Sequence, residues 1–442
     1  MKWISTRGAS PSITFIDALF AGTAPDGGLY MPERLDPLPP GTVESLRSAD
    51  IVEIGTTIGA HILRDEITQQ ALQPLIRDAL DFPVPLVRVT DRVSVLELFH
   101  GPTMAFKDVG ARVQARLLHH FTDGTPLTIL VATSGDTGSA VAQAFHRVPD
   151  ARVVVLYPEG QVSDVQEAQM ASLGDNITAL AVRGTFDDCQ RLVKQAFADD
   201  GLRAHVWLTP ANSINLGRLL PQVFYYFLLA GISSNSRPGP IVSVPSGNFG
   251  NLTAGLIAKR IGLPVTQFVA ATNVNDAVPE YLETGRYEPR PSIATVANAM
   301  DVGAPSNFER VQALYNGDLT ALRRDIVGYA YEDTRVIDEI RRVYQQNGYL
   351  LDPHSAIAWL ALQDRLADDP DAYGVFLATA HPAKFREVVE PAIGRSVELP
   401  AALADALSRP RHSMSMPADY AALEEFLRAT SAPSVQLPTP KA

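Results

Sequence analysis

The sequence predicts an α/β fold whose sheets are mostly parallel and carry helices on both faces. From about residue 127 onward, short apolar runs alternate with segments of helical periodicity, a pattern that indicates βαβ units. Two of the predicted strands end in polar, glycine-containing loops that lead into helices. Ligands bind at such strand ends in parallel sheets. With 442 residues, the chain is also long enough for two or three domains.

The individual elements follow from the same pattern. Residues 12–21 and 43–63 are predicted helices of an N-terminal domain and are separated by turns rich in glycine and proline. The predicted strands are 93–98, 127–132, 152–157, 177–182, 206–208, 240–244, 265–271 and 375–377. The predicted helices are 138–147, 186–198, 214–229, 252–261 and one that begins near Lys107. A polar spacer at 235–240 divides the alternation, and the chain after about 395 is predicted to be helical, with a frayed tail at 431–442.

Composition excludes several classes of protein. A net charge of −12 argues against a nucleic-acid partner, because phosphate backbones require a basic surface. The single cysteine, Cys189, excludes an internal disulfide framework and fits a reducing compartment. The stretch 1–7 has no apolar signal core, and 224–232 is too short to span a bilayer. We therefore expect a soluble cytoplasmic protein with no membrane partner and no metal site.

The segment from His100 to Asp108 contains the first candidate catalytic residue. Pro102 excludes a helix at that point, and helical periodicity begins at Lys107. The ammonium of a lysine in the first helical turn, behind Phe106, lies near the positive end of the helix dipole and in a partly apolar setting. Both effects lower a lysine pKa and favour the free amine that attacks carbonyl groups. The alternative is an exposed Lys-Asp pair that only opens a helix.

Two strand-end loops are candidate anion sites. The loop 133–139 offers hydroxyls and free amides at a helix start, which suits a carboxylate, although an ordinary N-cap uses the same residue types. In the loop 245–251 two glycines allow close backbone approach, so its amides can converge on a dianionic phosphate. Neither loop matches a dinucleotide fingerprint or a P-loop. On its own, a Gly-x-x-Gly turn is weak support.

A third loop, 378–385, follows the predicted strand 375–377 and contains Thr379 and Lys384. A threonine at a strand end is often structural. In combination, however, an imine-forming lysine, an anion loop, a phosphate loop and a terminal hydroxyl suit pyridoxal phosphate. Its aldehyde, phosphate and ring nitrogen would each receive a partner.

These motifs, in this order, resemble the threonine synthase family, the long-chain branch of the pyridoxal-phosphate enzymes with the tryptophan-synthase-β-like core (fold type II). The segments that carry the resemblance are 24–30, 100–108, 133–138, 212–222, 246–251, 305–310, 352–356 and 379–385. It implies an N-terminal domain at 1–92, a cofactor-binding core at 93–395 and a C-terminal helical extension at 396–442. Within the core, a small lobe of about 128–220 would be inserted in the large lobe.

The resemblance also implies roles for residues. Lys107 would form the imine (Schiff base) with pyridoxal 5'-phosphate and act as the catalytic base. The other cofactor contacts would be Asp136, Ser246, Gly247, Asn248, Phe249, Gly250, Asn251 and Thr379. The substrate contacts would be Thr133, Ser134, Gly135, Thr137, Asn215, Arg218 and Lys384. Many fold-type-II enzymes have Asn where Asp136 stands, so the partner of the cofactor's phenolic oxygen stays open.

The implied reaction converts O-phospho-L-homoserine and water to L-threonine and phosphate, the last step of threonine biosynthesis. The alternatives are a threonine or serine dehydratase, which needs no second phosphate site, and a non-catalytic homologue that binds phospho-ligands. For the substrate phosphate, Arg218 and Asn215 are the leading candidates and Lys384 the second. Arg218 could instead cap a neighbouring element or pair with an acid. A monomer is favoured over an oligomer, and both stay open.

Overall fold

The computed structural model describes residues 1–232 and 239–430. It confirms the predicted α/β class, because two largely parallel sheets form the centre of the chain and helices cover them. The tail predicted at 431–442 and most of the spacer predicted at 235–240 lie outside the described residues. Within the described residues, no helix has the length and apolar character needed to span a membrane.

The described residues form thirteen strands. In chain order they are β1 (Trp3–Ser5), β2 (Tyr30–Pro32), β3 (Leu86–Arg88), β4 (Val93–Glu97), β5 (Leu127–Ala132), β6 (Ala151–Pro158), β7 (Ile177–Arg183), β8 (Leu208–Pro210), β9 (Ile241–Pro245), β10 (Gln267–Thr272), β11 (Ile326–Ala330), β12 (Gly374–Ala378) and β13 (Ser413–Pro417).

They also form twenty α-helices. These are α1 (Phe15–Ala21), α2 (Thr42–Ser45), α3 (Ile51–Ile62), α4 (Gln69–Ala79), α5 (Lys107–Phe121), α6 (Asp136–Phe145), α7 (Asp164–Ala171), α8 (Phe186–Ala198), α9 (Asp200–Arg203), α10 (Leu216–Leu219), α11 (Gln222–Tyr226), α12 (Gly250–Arg260), α13 (Ala277–Thr284), α14 (Phe308–Leu314), α15 (Leu319–Asp325), α16 (Asp333–Asn347), α17 (Pro353–Ala367), α18 (Arg386–Ile393), α19 (Ala401–Ser408) and α20 (Tyr420–Ala429).

The two main sheets divide the chain into two lobes. The large sheet has the order β11-β10-β9-β12-β4-β3 and is parallel except at the β3–β4 pair. The small sheet has the order β13-β7-β6-β5-β8 and is parallel throughout. The central strands of both sheets are buried on both faces, so they carry continuous apolar runs rather than alternating ones.

Most predicted elements lie where the pattern placed them, but the helices predicted over 43–63 and 214–229 are broken. The first is interrupted before Asp50, which caps α3 in an extended conformation. The structure ends α10 at Leu219, restarts a helix at Gln222 and continues as a 3-10 turn over Phe227–Gly231. Pro221 lies at the break, and it has no amide hydrogen for the helical ladder. The apolar periodicity that suggested one helix reflects burial of all these turns in the main core.

The C-terminal segment contains a strand that the sequence analysis did not predict. β13 pairs in parallel with β7, with Ser413 opposite Ala179 and Pro417 opposite Arg183. The short segment is mostly exposed and polar, so its pattern resembles a loop, and only the exposed edge of β7 makes it a strand. Helix α20 then buries Leu423 in the apolar cluster of the small lobe.

The N-terminal domain is fastened to both lobes by polar contacts. Asn215 donates to the carbonyl oxygens of Leu19 and Pro210 at 2.7 and 2.9 Å, which joins α1 to the end of β8. Arg310, fully buried on α14, donates to the carbonyl oxygen of Tyr30 at 3.1 Å. The domain therefore packs directly beside the loops that follow the sheet strands.

The buried side chain of Leu423 gives a test of the C-terminal docking. We expect Leu423→Ala to destabilise the segment by about 2–5 kcal/mol, the usual effect of a large-to-small change in a core. Hydrogen exchange should then speed up at the amides of β13 and along the paired edge of β7. The matched control is Glu425→Ala on the exposed face of the same helix, with an expected change within about 0.5 kcal/mol. Equal exchange in both variants would contradict this account of the docking.

Candidate active site

Lys107 is the first residue of α5 and lies at the carboxyl ends of the strands of the large sheet, next to the end of β12. Backbone hydrogen bonds hold it there: the amide of Leu98 donates to Ala378, and the amide of Phe106 donates to Thr379 at 2.8 Å. The loop after β4 therefore runs along the loop after β12. Because these bonds involve only backbone atoms, Lys107 and Thr379 are brought together whatever their side chains are.

Asp136, the first residue of α6 in the small lobe, faces two lysines of the large lobe. Its Oδ2 lies 3.8 Å from the Nζ of Lys107, and its Oδ1 lies 2.7 Å from the Nζ of Lys384. Burial opposes ionisation of this carboxyl, but the charge of Lys384, followed by Lys107 and the hydrogen bonds from Lys384 and Gln166, outweighs it and holds the pKa of Asp136 below its ordinary value. Burial is also the main reason why the pKa of Lys107 is lowered; the charge of Lys384 adds to this effect, and that of Asp136 opposes it.

Asp108 fixes the conformation of the loop that precedes Lys107 in the chain. The Thr103 hydroxyl and the Thr103 amide donate to its two carboxylate oxygens at 2.7 and 2.9 Å. Burial raises the pKa of Asp108 to about 6, although the bonds from Thr103 act against this rise. Asp108 is thus a structural partner of the loop, while its neighbour Lys107 faces Asp136.

The loop after β5 is ordered by one hydroxyl. Thr133 Oγ1 accepts hydrogen bonds from the amides of Gly135 and Gly138 at 2.9 and 2.8 Å, which satisfies two donors at the start of α6. Gly135 has φ +142°, and a Cβ there would lie 2.3 Å from the Gln166 side chain, so only glycine fits. Thr137 is half-buried. The predicted carboxylate loop is therefore a tight turn anchored by Thr133; Ser134 is exposed.

The loop after β9 lies against a neighbouring backbone segment. A Cβ on Gly247 would lie 2.5 Å from the carbonyl oxygen of Ala299, so the glycine is needed for this close approach. Asn248 donates to the Ser213 hydroxyl at 2.6 Å and accepts from the Ser306 amide. Phe249, with φ +61°, turns the chain into α12. The remaining predicted residue of the turn, Ser246, is buried and donates to the carbonyl oxygen of Val244.

The first turn of α12 contains a buried donor that lacks a partner. The hydroxyls of Tyr225 and Tyr226 donate to Asn251 Oδ1 at 2.6 and 2.7 Å, whereas Asn251 Nδ2 has no hydrogen-bond partner among the described residues. Burial raises the pKa of both tyrosines well above its ordinary value, so both stay protonated donors. At Gly250 an added Cβ would meet only ordinary contacts, the nearest at 3.4 Å.

The predicted substrate contacts Asn215 and Arg218 differ in how far the protein already engages them. Asn215 caps α10 through the amide of Gly217 and bonds two backbone carbonyl oxygens, an arrangement that favours a structural role. Arg218 is buried and donates to the carbonyl oxygen of Ala211 at 2.6 Å, but its Nε has no partner within the described chain. Burial lowers the pKa of Arg218 to about 10, which leaves it charged at neutral pH.

The two predicted site residues of the loop after β12 also differ in how far the protein already engages them. Thr379 is buried beside the Lys107 segment, and its hydroxyl makes no hydrogen bond to the residues that the structure describes. Lys384 is fully buried and is engaged by Asp136 and, at 2.9 Å, by the carbonyl oxygen of Thr103. These contacts favour a positioning role for Lys384 over contact with substrate.

Three polar groups near these loops were not assigned roles from the sequence. Gln166 donates to Asp136 Oδ1 at 3.1 Å. Asp352 binds His354 Nδ1 at 2.6 Å, and His354 Nε2 accepts from the Ala299 amide, which fixes the segment packed on Gly247. Gln166 and Asp352 take part in the N-terminal caps of α7 and α17, and the spacing of these residue types in the sequence could have indicated those caps. Their tertiary contacts join segments that lie far apart in the chain, so the sequence gives no signal for them.

The described residues fit pyridoxal phosphate. Lys107 has a lowered pKa, Asn251 Nδ2 and Arg218 Nε are buried donors without partners among the described residues, and Thr379 is buried beside the Lys107 segment. No group of three or more His, Cys, Asp or Glu side chains within the described ranges could hold a metal ion. Burial raises the pKa of Cys189 to about 12, so its thiol is not a nucleophile at neutral pH.

The two sheets and the lysine between them define the class: fold type II of the pyridoxal-phosphate-dependent enzymes. The family model for pyridoxal-phosphate dependent enzymes matches residues 84–378, and models for the N terminus and the C-terminal region of threonine synthase match 2–80 and 355–427. The chain is 44% identical to threonine synthase of Escherichia coli over 428 residues, which cover 97% of this chain and 99% of that protein. It therefore belongs to the threonine synthase family.

Solved structures agree. The E. coli threonine synthase structure superposes with a TM-score of 0.91 at 43% identity and covers 98% of this chain and 100% of that one. The Brucella melitensis threonine synthase structure, solved with pyridoxal phosphate bound, has a TM-score of 0.91 at 37% identity and covers 97% of this chain and 99% of that one. A tomato threonine deaminase, at 14% identity and a TM-score of 0.56 over 82% of this chain and 94% of its own, shares the fold alone.

The Thr133 hydroxyl gives a test of the loop after β5. Thr133→Val keeps the shape of the side chain but leaves two amides unpaired, so we expect a loss of about 1–3 kcal/mol for each amide. Thr133→Ser keeps the hydroxyl and should lose only about 1 kcal/mol, for one methyl group. Urea unfolding monitored by fluorescence measures both. A Ser variant no more stable than the Val variant would show that the methyl group, rather than the hydroxyl, holds the loop.

Proposed function

We propose that this chain converts O-phospho-L-homoserine and water to L-threonine and phosphate, with pyridoxal 5'-phosphate anchored on Lys107. The observation that supports this best is the Lys107 amine, which has a lowered pKa and lies between the loops that follow β5 and β12. Incubation of the purified protein with the cofactor and O-phospho-L-homoserine should release threonine and phosphate in equal amounts. Release of phosphate without threonine would contradict the proposal.

The cofactor would be held by groups from several loops. Its phosphate would lie at the start of α12, where Asn251 Nδ2 and the amides from Gly247 to Gly250 are the donors, since the Ser246 amide already donates to Ala271. The Thr379 hydroxyl would be the partner of the ring nitrogen, and Lys107, next to Asp136, would be the covalent anchor. When bound, pyridoxal phosphate supplies a conjugated ring that stores the electrons left when a proton leaves the substrate.

The chain's own residues carry out the remaining steps. The turn 133–138 would bind the substrate carboxylate at the positive end of α6 with the amides that Thr133 does not engage. The Lys107 amine would move protons at the α- and β-carbon atoms of the substrate, because a free amine with a lowered pKa can both accept and return a proton. A hydroxyl at Thr379 would leave the ring nitrogen without a carboxylate to hold its proton.

Arg218 is the proposed partner of the substrate phosphate. The cofactor phosphate already occupies one anion site, so a second dianion needs another cationic group. Arg218 is buried and charged, its Nε has no partner among the residues that the structure describes, and its charge is close enough to lower the pKa of Lys107. This phosphate site also separates the proposal from a threonine or serine dehydratase, whose substrates carry no phosphate.

Location and assembly belong to the same proposal. A cytoplasmic location is supported by the single, buried cysteine, because a reducing compartment gives no use for a disulfide framework. A monomer is supported by the small number of large hydrophobic side chains that are exposed in the described residues: Ile4, Leu86, Ile293 and Met414. Size-exclusion chromatography with light scattering would measure the mass in solution.

Lys107→Ala tests the covalent anchor. The variant should fold, because the substitution removes only one polar side chain at a helix start. It should lose the visible absorbance of the covalently bound cofactor and nearly all turnover. Lys259→Ala removes a lysine paired with Asp325 far from these loops and serves as the control. Retention of the absorbance band in the Lys107 variant would assign the anchor to another lysine.

Arg218→Ala tests the substrate phosphate site. It should keep the absorbance of the bound cofactor and lose affinity for O-phospho-L-homoserine by roughly tenfold to a few hundredfold, as expected for one charge-assisted contact of about 1.5–3 kcal/mol. Arg218→Lys keeps the charge without the bidentate geometry and should fall between Ala and wild type. A wild-type Michaelis constant for the Ala variant, with the cofactor spectrum intact, would remove Arg218 from this role.

A further inference from the structure

Two buried lysines share one carboxylate at the boundary between the lobes. Asp136, on α6, contacts Lys384 at 2.7 Å and Lys107 at 3.8 Å through different oxygens. The Lys384 side chain is completely buried, whereas 17% of the Lys107 side chain is exposed. One negative charge can compensate only one of these two ammonium groups.

The contacts assign that compensation to Lys384. Its Nζ makes the shorter contact with Asp136 and also donates to the carbonyl oxygen of Thr103, so its protons have fixed acceptors in a site without solvent. Within residues 1–232 and 239–430, Lys107 lacks a comparable acceptor, since its one carboxylate contact there is the longer one. The remaining charge that acts on Lys107, that of Arg218, is a second cation and does not favour its protonation. The adjacent carboxylate of Asp108 is held by Thr103.

We propose that Lys384 is a positioning residue that occupies Asp136 and thereby keeps the Lys107 amine neutral for its reaction with the cofactor. The neutral nitrogen uses its lone pair to bond the aldehyde carbon of pyridoxal phosphate, and its two protons leave with the aldehyde oxygen as water. An ammonium has no lone pair and cannot begin this step. The inference rests on the proposed function through the assignment of Lys107 as the anchor.

The sign of the expected effect follows from the charges. Removal of the Lys384 charge eliminates a repelling cation and frees Asp136 to pair with Lys107, and both changes favour the protonated form of Lys107. Cofactor capture by Lys384→Met and Lys384→Gln should therefore require a higher pH. Asp136→Asn should act in the opposite direction, and the double variant Asp136→Asn/Lys384→Met should lie near wild type, because it removes both charges.

The test measures capture of pyridoxal phosphate by the full chain after its cofactor has been removed, from the rise of the bound-cofactor absorbance between pH 6 and pH 10. We expect the midpoint of the pH dependence to move up by about one unit or more in both Lys384 variants, so that capture at any pH below the wild-type midpoint slows by up to about tenfold. Lys259→Met, which breaks the ion pair with Asp325 elsewhere in the fold, should keep the wild-type midpoint. An unchanged or lower midpoint in the Lys384 variants would overturn the inference.

Reductive trapping followed by peptide mass spectrometry keeps the two proposals apart. Trapping on Lys107 with an unshifted midpoint rejects only the role of Lys384, whereas trapping on another lysine rejects the assignment of the anchor and this inference with it. If neither Lys384 variant folds, trace acetylation of the wild-type chain decides. The reactivity midpoint of Lys107 should then lie at least about one unit below the ordinary lysine value of about 10.4, and a midpoint at that value would overturn the inference.

Discussion

The contact of the Asp136 carboxylate with lysines from the opposite lobe is the interaction on which the site depends. Asp136 follows a strand of the small sheet, while Lys107 and Lys384 follow neighbouring strands of the large sheet. The strands that carry these residues run parallel within each sheet, so their strand-end loops gather at one edge and converge on this carboxylate. The same contact fixes the lobes relative to each other and sets the charge around the reactive amine. The buried Asp136 carboxylate thus has both a structural and a chemical role.

Much of this could be predicted from the sequence, because local patterns determine local elements. Helix α5 begins at Lys107 as predicted from Pro102 and the periodicity behind it, and β5 and α8 have the predicted bounds. The α/β class followed from the alternation, and the resemblance identified the family that the comparisons show. The broken helix at Pro221 and the strand β13 were not predicted, because burial and the edge of β7 determine them more strongly than local propensity does.

The site was less accessible to sequence reasoning, since its contacts cross the chain. Asn215 and Lys384 were predicted to bind substrate, and their residue types allow it, yet both are engaged by partners that no spacing rule reveals. Gly247 was interpreted as room for a phosphate, whereas the nearest atom to its missing side chain belongs to Ala299. His354 lies in the segment 352–356, which carries part of the family resemblance but was assigned no role. Its Nε2 accepts a hydrogen bond from the Ala299 amide and so supports that same segment. Such indirect supports become visible only when distant segments are placed together.

The strand β13 has a consequence for how the protein is made. The chain is synthesised from its N terminus, so β7 is complete about 230 residues before its edge partner exists, a delay of roughly ten to fifty seconds at ordinary elongation rates. Throughout that interval a parallel sheet edge with unpaired backbone groups is open to other chains. The segment that contains β13 therefore covers the edge of β7 only late in synthesis. A nascent chain released before residue 413 would expose an unpaired strand edge, prone to aggregation, that the finished protein lacks.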